Sequence, residues 1–356
     1  MRHRSIPSMR IANFKSYVTV TKYSNKNNMR SSSPVIQSKE TTILDELLQY
    51  TDSLVDHSSV NLIAFSGGVD SSLTAFLVNR VFKQQTVKAS LHCENKNSGY
   101  VKAVIGVSPS LPPHQLDLAR SIAHEIGINL TEVKTREGFD ENYVKNKGQA
   151  CFVCKSHLYS SLKAVASVAA SESNTTENSS MNKQDVILYN GTNADDTKDP
   201  TRIGILAANS FFVKSPLLYS TKEEVRRYAK HLGLSNWNFA ASPCLRSRLA
   251  LGVKATSRHL RAVNKAENMV RRVLNLDETI NMRVRLLAKR RVMVEIDNEW
   301  FLNKDASGDA LNILKDHGMG DLCQELGFDS GFGIRVFKSG SVSKTLEKMH
   351  HEIEKE

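Results

Sequence analysis

From residue 40 onward, short apolar runs alternate with amphipathic stretches. Val60-Asn61-Leu62-Ile63-Ala64-Phe65 is an apolar run of strand length bounded by polar residues, the pattern of a buried strand. Leu73, Phe76, Leu77 and Val81 then recur at helical spacing, which predicts a helix from Ser71. The same reading predicts strands over 101–107, 128–133 and 185–189, and helices over 41–54, 113–126, 152–169 and 221–232. In the 113–126 helix Leu116, Ala119, Ile122 and Ala123 face inward and Gly127 is the stop. The 221–232 helix has Thr221 as N-cap, Glu224 to complete a capping box, and Gly233 beyond its end. Strands alternating with helices predict an α/β fold with a doubly wound parallel sheet.

The pattern changes near residue 250. A helix over 257–274 precedes two short strand-like runs, 282–287 and 292–296, around a basic turn. Further runs at 311–315 and 334–337 and a helix from Ser343 complete what reads as a smaller α+β domain, residues 251–356. The main domain is then 41–250, interrupted at 171–182 by the polar, low-complexity SESNTTENSSMN, which reads as a mobile surface loop.

Composition narrows the function. The net charge of +11 suggests a nucleic-acid partner, but its distribution argues otherwise. Residues 1–39 hold eight of the 48 Lys and Arg and no Asp or Glu, leaving 40 basic against 37 acidic residues in the body. A nearly neutral body does not favour RNA or DNA. The leader, rich in Arg, Lys, Ser and Asn, has the features of an organelle import signal, mitochondrial or plastid. No apolar run approaches the length of about 20 residues that spans a bilayer. Five cysteines in 356 residues do not suggest a disulfide scaffold; a reduced intracellular setting fits better.

The chemistry concentrates in a few motifs. Ser66-Gly67-Gly68-Val69-Asp70-Ser71-Ser72 joins the first strand to its helix. Glycines let backbone N–H groups approach an anion, the helix N-terminus adds partial positive charge, and three serines add hydroxyls. No Gly-Lys-Ser/Thr follows, so this is not a Walker loop. The SGGxDS pattern resembles enzymes that split ATP between its α and β phosphates.

Cys151-Phe152-Val153-Cys154-Lys155 is a CxxC at a helix start, where thiol pKa values fall. It suits a dithiol redox pair, half of a zinc site, two ligands of an iron–sulfur cluster, or a structural pair. Ser242-Pro243-Cys244-Leu245-Arg246-Ser247-Arg248 sets a third cysteine beside two arginines, which favour a thiolate and also hold phosphate. Cys93 and Cys323 read as ordinary core thiols, and His92 as structural.

With Gly191-Thr192-Asn193-Ala194-Asp195-Asp196, Arg202 with Gly204, Ser215-Pro216-Leu217, Ala266-Glu267 and Arg283-Val284-Arg285 in the same order, the set resembles the ATP-dependent sulfur transferase family LarE over roughly residues 43 to 300. The resemblance implies a Rossmann-like fold of the HUP/PP-loop type. It implies ATP on Ser66, Gly67, Gly68, Val69, Asp70, Ser71, Ser72, Gly191, Thr192 and Asn193, with Asp70 helping to hold Mg²⁺. Asp195 and Asp196 become metal or substrate contacts. Ser247, Arg248, Arg283 and Arg285 become substrate contacts, with Glu267 beside them. Cys244 matches the cysteine that is activated or sacrificed for sulfur delivery. Cys151, Cys154 and Cys244 match the ligands of a four-iron four-sulfur cluster, and the resemblance favours the cluster over sacrifice of Cys244.

The implied substrate is a pyridinium dicarboxylate mononucleotide whose carboxylates become thiocarboxylates for a nickel-pincer cofactor, in a homo-oligomeric enzyme. Ala150 in place of Arg, Ile203 in place of Pro, the 171–182 insert and a longer linker between Glu267 and Arg283 depart from the family pattern. The competing readings are a tRNA thiolase, an amide-forming synthetase of the NAD or GMP type, and a non-catalytic ATP-binding or iron–sulfur carrier protein, which the intact loop acids and serines argue against. The first would need an RNA-binding surface, and the second leaves Cys244 unexplained. Taken alone, Arg283 and Arg285 would read as a solvated strand face, and Asp195-Asp196 as a helix cap.

Overall fold

A computed structural model describes residues 34–91, 99–173, 185–302 and 309–338. Residues 1–33 of the expected leader, His92 and Cys93, most of the 171–182 insert and the helix from Ser343 lie outside them. Residues 1–42 and 43–356 form separate units, and the second holds everything below.

Four strands, β1 (Val60–Ala64), β2 (Tyr100–Val107), β3 (Leu130–Lys134) and β4 (Val186–Tyr189), form a sheet in the order β3-β2-β1-β4. Every pairing in it is parallel. β1 lies between β2 and β4 and is buried at all five residues, which explains why its sequence is a continuous apolar run. Alternation splits its side chains between two layers. Ile63 packs with helices α2 (Val69–Leu91) and α3 (Pro113–Ile126), while Leu62 and Ala64 face α5 (Ala150–Ser173) and α7 (Gly204–Ser210). Helices therefore cover both faces, as a parallel sheet requires.

Helix α8 (Lys222–His231) begins with the expected capping box. Thr221 Oγ1 accepts from Glu224 N at 3.3 Å, and Glu224 Oε2 accepts from Thr221 N at 2.8 Å. Val225, Tyr228 and Ala229 of α8 pack with Leu73 and Leu77 of α2 and with Leu44 and Leu47 of α1 (Pro34–Leu54). Among the described residues no helix is long and apolar enough to cross a membrane.

The second sheet is β5 (Met282–Leu287), β6 (Arg291–Ile296) and β7 (Phe332–Val336) in sequential order, with β5–β6 antiparallel and β6–β7 parallel. The predicted basic turn joins β5 to β6, with Lys289 and Arg290 both at positive φ. Arg290 anchors it by donating to the Gly327 carbonyl at 2.7 Å and pairing with Asp329 at 2.6 Å. Val284, Leu286, Val292, Val294 and Ile296 form the apolar face, covered by Leu260, Val263 and Val270 of α9 (Ser257–Val273).

This second core reaches back to Tyr143 of α4 (Glu141–Lys145) and to Ala150, Val153 and Cys154 at the start of α5. One 24-residue helix thus serves two cores: its first turn packs on the small sheet's core, and Tyr159, Leu162 and Ala166 pack on the large sheet.

Candidate active site

The strand order reverses between β1 and β4, which opens a crevice at the carboxyl ends of these strands, where α/β sheets bind ligands. The SGGVDSS loop leaves β1 there and Gly191-Thr192-Asn193 leaves β4. Gly67 has φ +72° and lies against α3: a β-carbon built on it would stand 2.8 Å from Ala119 Cα. The loop is braced from below. Gln115 Nε2 donates to the Ser66 carbonyl at 2.7 Å, and buried Asn236 donates to the Gly67 carbonyl at 2.8 Å and to Ser72 Oγ at 3.0 Å. Ser71 Oγ accepts from Ser66 N at 3.2 Å and donates to the Gly68 carbonyl at 3.0 Å. Ser66 itself is exposed, its hydroxyl 3.0 Å from that of Ser71. Val69 and Ser72 are buried.

Asp70, in the first turn of α2, accepts from Asn193 Nδ2 at 3.0 Å and pairs with the Lys222 ammonium. Asn193 caps α6 (Ala194–Thr197) in a capping box with Asp196, and Thr192 N donates to Asn190 Oδ1 at 3.1 Å. Asp195 accepts from Lys222 N at 2.8 Å, which joins α6 to α8. Asp196 pairs with Arg202 at 2.9 Å. Burial raises the Asp196 carboxyl, and the negative charge of Asp70 adds to this against Arg202. Two carboxylates that repel each other beside an anion-binding loop suit a divalent cation. Asp70 and Asp196 are the residues that would hold Mg²⁺.

The Cys244 segment is fixed to the same end of the sheet. Leu245 N donates to the Ser110 carbonyl, in the loop after β2, at 2.8 Å. Residues Leu245–Arg248 form a 3₁₀ turn in which Ser247 Oγ donates to the Cys244 carbonyl at 2.8 Å. Arg246 donates to Asn146 Oδ1 at 3.2 Å and to Cys151 Sγ. Burial opposes the Arg246 charge, but Cys151, Cys244 and Tyr143 hold its pKa above the ordinary value. Burial pushes the Cys154 thiol up to about 12, with Cys244 and Glu137 adding to the shift. The three cysteines thus share one electrostatic neighbourhood. Among the described residues, however, no three His, Cys, Asp or Glu side chains are grouped to hold a metal ion. Arg246 also donates to Cys151, and no step is derived through the iron–sulfur cluster that the resemblance implies.

Arg248 is 1% exposed and meets Glu267 through two hydrogen bonds, 2.8 and 3.1 Å. Glu267 Oε1 also accepts the edge N–H of Val284 at 3.0 Å. Burial raises the Glu267 carboxyl, but Arg248, with Arg283 and the Val284 N–H, holds it below its usual range. Arg283 and Arg285 lie on the polar face of the small sheet and are buried, not solvated as a bare strand pattern would suggest. Arg285 Nε donates to Glu295 at 2.6 Å and its Nη1 to the Ser247 carbonyl at 2.9 Å. Arg283 donates to the Met282 carbonyl at 2.7 Å and to the Ala241 carbonyl, with its guanidinium over the Phe337 ring.

The sequence reading missed Gln115, Asn236, Lys222 and Glu295. Lys222 carried a signal, because the capping box puts it at the N-terminus of α8, turned toward the sheet. Asn236 carried none.

A parallel sheet with a pyrophosphate loop at its switch point defines a PP-loop, nucleotide-using HUP protein. The tRNA methyl transferase HUP domain family matches residues 60–150. An uncharacterized protein of Synechocystis sp. is 36% identical over 214 residues, covering 60% of this chain and 69% of the relative. Pyridinium-3,5-bisthiocarboxylic acid mononucleotide synthase of Lactiplantibacillus plantarum is 27% identical over 211 residues, covering 59% of this chain and 66% of that enzyme. The chain belongs to one family with the Synechocystis protein and is a PP-loop HUP protein homologous to the Lactiplantibacillus plantarum synthase.

Proposed function

We propose that this protein is an ATP-dependent sulfurtransferase that activates a carboxylate of a small pyridinium dicarboxylate mononucleotide as its adenylate, releases pyrophosphate, and replaces oxygen by sulfur. The observation that carries this reading is the tie between Leu245 and Ser110. It fixes the Cys244 turn to the sheet end from which the phosphate loop emerges.

The division of labour follows from the side chains. The loop amides and the hydroxyls of Ser66 and Ser71 hold the phosphates. When bound, Mg²⁺ neutralises phosphate charge. Lys222, already at the loop mouth, adds positive charge as pyrophosphate departs. A free carboxylate resists a thiol nucleophile, whereas its mixed anhydride with AMP has a good leaving group. Cys244 as thiolate attacks the activated carbonyl, and AMP leaves with the anhydride oxygen. A base then removes the Cys244 Cα proton, the Cβ–S bond breaks with its electron pair on sulfur, and a thiocarboxylate leaves dehydroalanine behind. Arg283 and Arg285 hold the anionic end of the substrate meanwhile.

The test is anaerobic incubation with ATP, Mg²⁺ and a pyridinium dicarboxylate mononucleotide, read by AMP release and intact mass. AMP formation with a loss of about 34 Da mapped to Cys244 is the expected result. AMP formation with about four irons per chain and an unchanged mass would replace Cys244 sacrifice by a cluster route. No AMP would overturn the reading.

A further inference from the structure

We propose that the cleft at the turn between β5 and β6 is a second binding site, for an aromatic phosphate monoester. It shares no residue with the phosphate loop, the Cys244 turn or the Arg283 and Arg285 pair, and it does not depend on the reading above.

The cleft has a volume of about 470 Å³, within the range of small-molecule sites. Leu251, Val253, Leu287 and Phe328 give it apolar walls, and two exposed lysines, Lys254 and Lys289, complete its lining. The walls are tied in place. Buried Asn146 accepts from Gly252 N at its carbonyl, 3.0 Å, and donates from Nδ2 to the Val253 carbonyl at 3.0 Å. Phe328 is buried, and the His259 ring meets it edge to face with centroids 5.6 Å apart. His259 Nδ1 donates to the Lys254 carbonyl at 2.6 Å, which fixes the segment before α9 to the helix.

The turn itself is strained. Lys289 and Arg290 hold φ of +56° and +57°. This left-handed conformation disfavours any residue with a β-carbon and suits glycine. At Arg290 the bonds to the Gly327 carbonyl and to Asp329 offset the strain. Lys289 makes no hydrogen bond or ion pair among the described residues. A strained position kept for a side chain without an internal partner points to an external one.

Charge and shape give the class of ligand. The Lys254 ammonium also has no partner among the described residues, and Asp329, the acid at this turn, is taken by Arg290. Two ammoniums at one cleft are therefore uncompensated. A carboxylate would supply one charge, whereas a phosphate monoester supplies nearly two at neutral pH and has oxygens for both lysines. The apolar walls and the Phe328–His259 ring pair suit a flat hydrophobic body.

The test uses the full-length protein with Mg²⁺ and α,β-methylene-ATP present to fill the phosphate loop. Calorimetric titrations with 1-naphthyl phosphate, 1-naphthol and inorganic phosphate compare wild type with Lys254→Gln and Lys289→Gly. Wild type is expected to bind naphthyl phosphate about tenfold or more tighter than either fragment. Each variant should weaken that binding about fivefold or more. Glycine suits the turn, so Lys289→Gly should also raise the urea midpoint, which separates loss of ligand from loss of fold. A wild type without the preference, or variants that keep wild-type affinity, overturn the inference. A lower urea midpoint in Lys289→Gly would give Lys289 a structural role and overturn it as well.

Discussion

Gly191 lies against the backbone of Asp70: a β-carbon built on Gly191 would stand 2.7 Å from the Asp70 carbonyl carbon and 2.8 Å from Ser71 N. The two loops at the switch point are packed backbone to backbone. Neither can shift without the other, and the clash falls on rigid main chain. Gly191→Ala should push the phosphate loop off its position, at a cost of roughly 1–3 kcal/mol. We expect ATP affinity to fall at least tenfold by calorimetric titration, with far-ultraviolet circular dichroism unchanged.

Asn236 braces the loop from the opposite side. Its amide nitrogen bridges the Gly67 carbonyl and Ser72 Oγ, and Asn236 is 1% exposed. Asn236→Ala leaves both groups unsatisfied in a dry setting, costing about 1–3 kcal/mol. The expected outcome is a lower denaturant midpoint together with weaker ATP binding. A variant that loses stability but binds ATP as wild type does would limit Asn236 to a packing role.

The Arg248–Glu267 pair is buried on both sides, 2% and 6% exposed at the side chains. Removing one partner strands a charge, so Glu267→Gln should cost about 3–5 kcal/mol at pH 7, and the joint change Arg248→Met with Glu267→Leu should cost less than the sum of its parts. The sign with pH follows from the depressed carboxyl of Glu267. Its contribution is complete above the ordinary carboxylate range and disappears as pH falls through the folded value. Urea midpoints between pH 7 and pH 3 check this: the gap between wild type and Glu267→Gln should narrow toward the acid end.

The pocket thiols should differ in reactivity. Cys154, pushed up to about 12 by burial and by the charges of Cys244 and Glu137, stays protonated at pH 8. Alkylation by iodoacetamide at pH 8, mapped by peptide mass, should modify Cys154 at least tenfold more slowly than an unperturbed thiol. Equal rates at Cys154 and in a free cysteine peptide would contradict the burial argument.

Much of the architecture was legible because the periods were strong. The run 60–65 had to be a central strand, and the capping box at Thr221 and Glu224 fixed the start of α8 to the residue. The short helices Asn298–Leu302 and Met319–Glu325 were not anticipated, since five to seven residues carry too little period to read. The strand starting at Leu130 is shorter than the apolar run 128–133 suggests, because Ile128 is taken up by the turn that closes α3: its N–H donates to the Ala123 carbonyl. In the site, contiguous motifs were readable and partnerships were not. Nothing in the sequence links Asn236 to Gly67, or Glu295 to both Arg285 and Arg335. Those pairings come from strand register and helix packing, set far along the chain. The burial of Arg283 and Arg285 was hidden for the same reason: alternation names a face but not what covers it.

The helix α5 that serves two cores also sets a schedule. During synthesis its first turn, with Cys151 and Cys154, leaves the ribosome more than a hundred residues before β5 to β7, which complete the core it packs into. Until those strands arrive, the first turn of α5, with Cys154, lacks the core it packs against. The core that covers this turn is therefore complete only in a chain that includes β5 to β7.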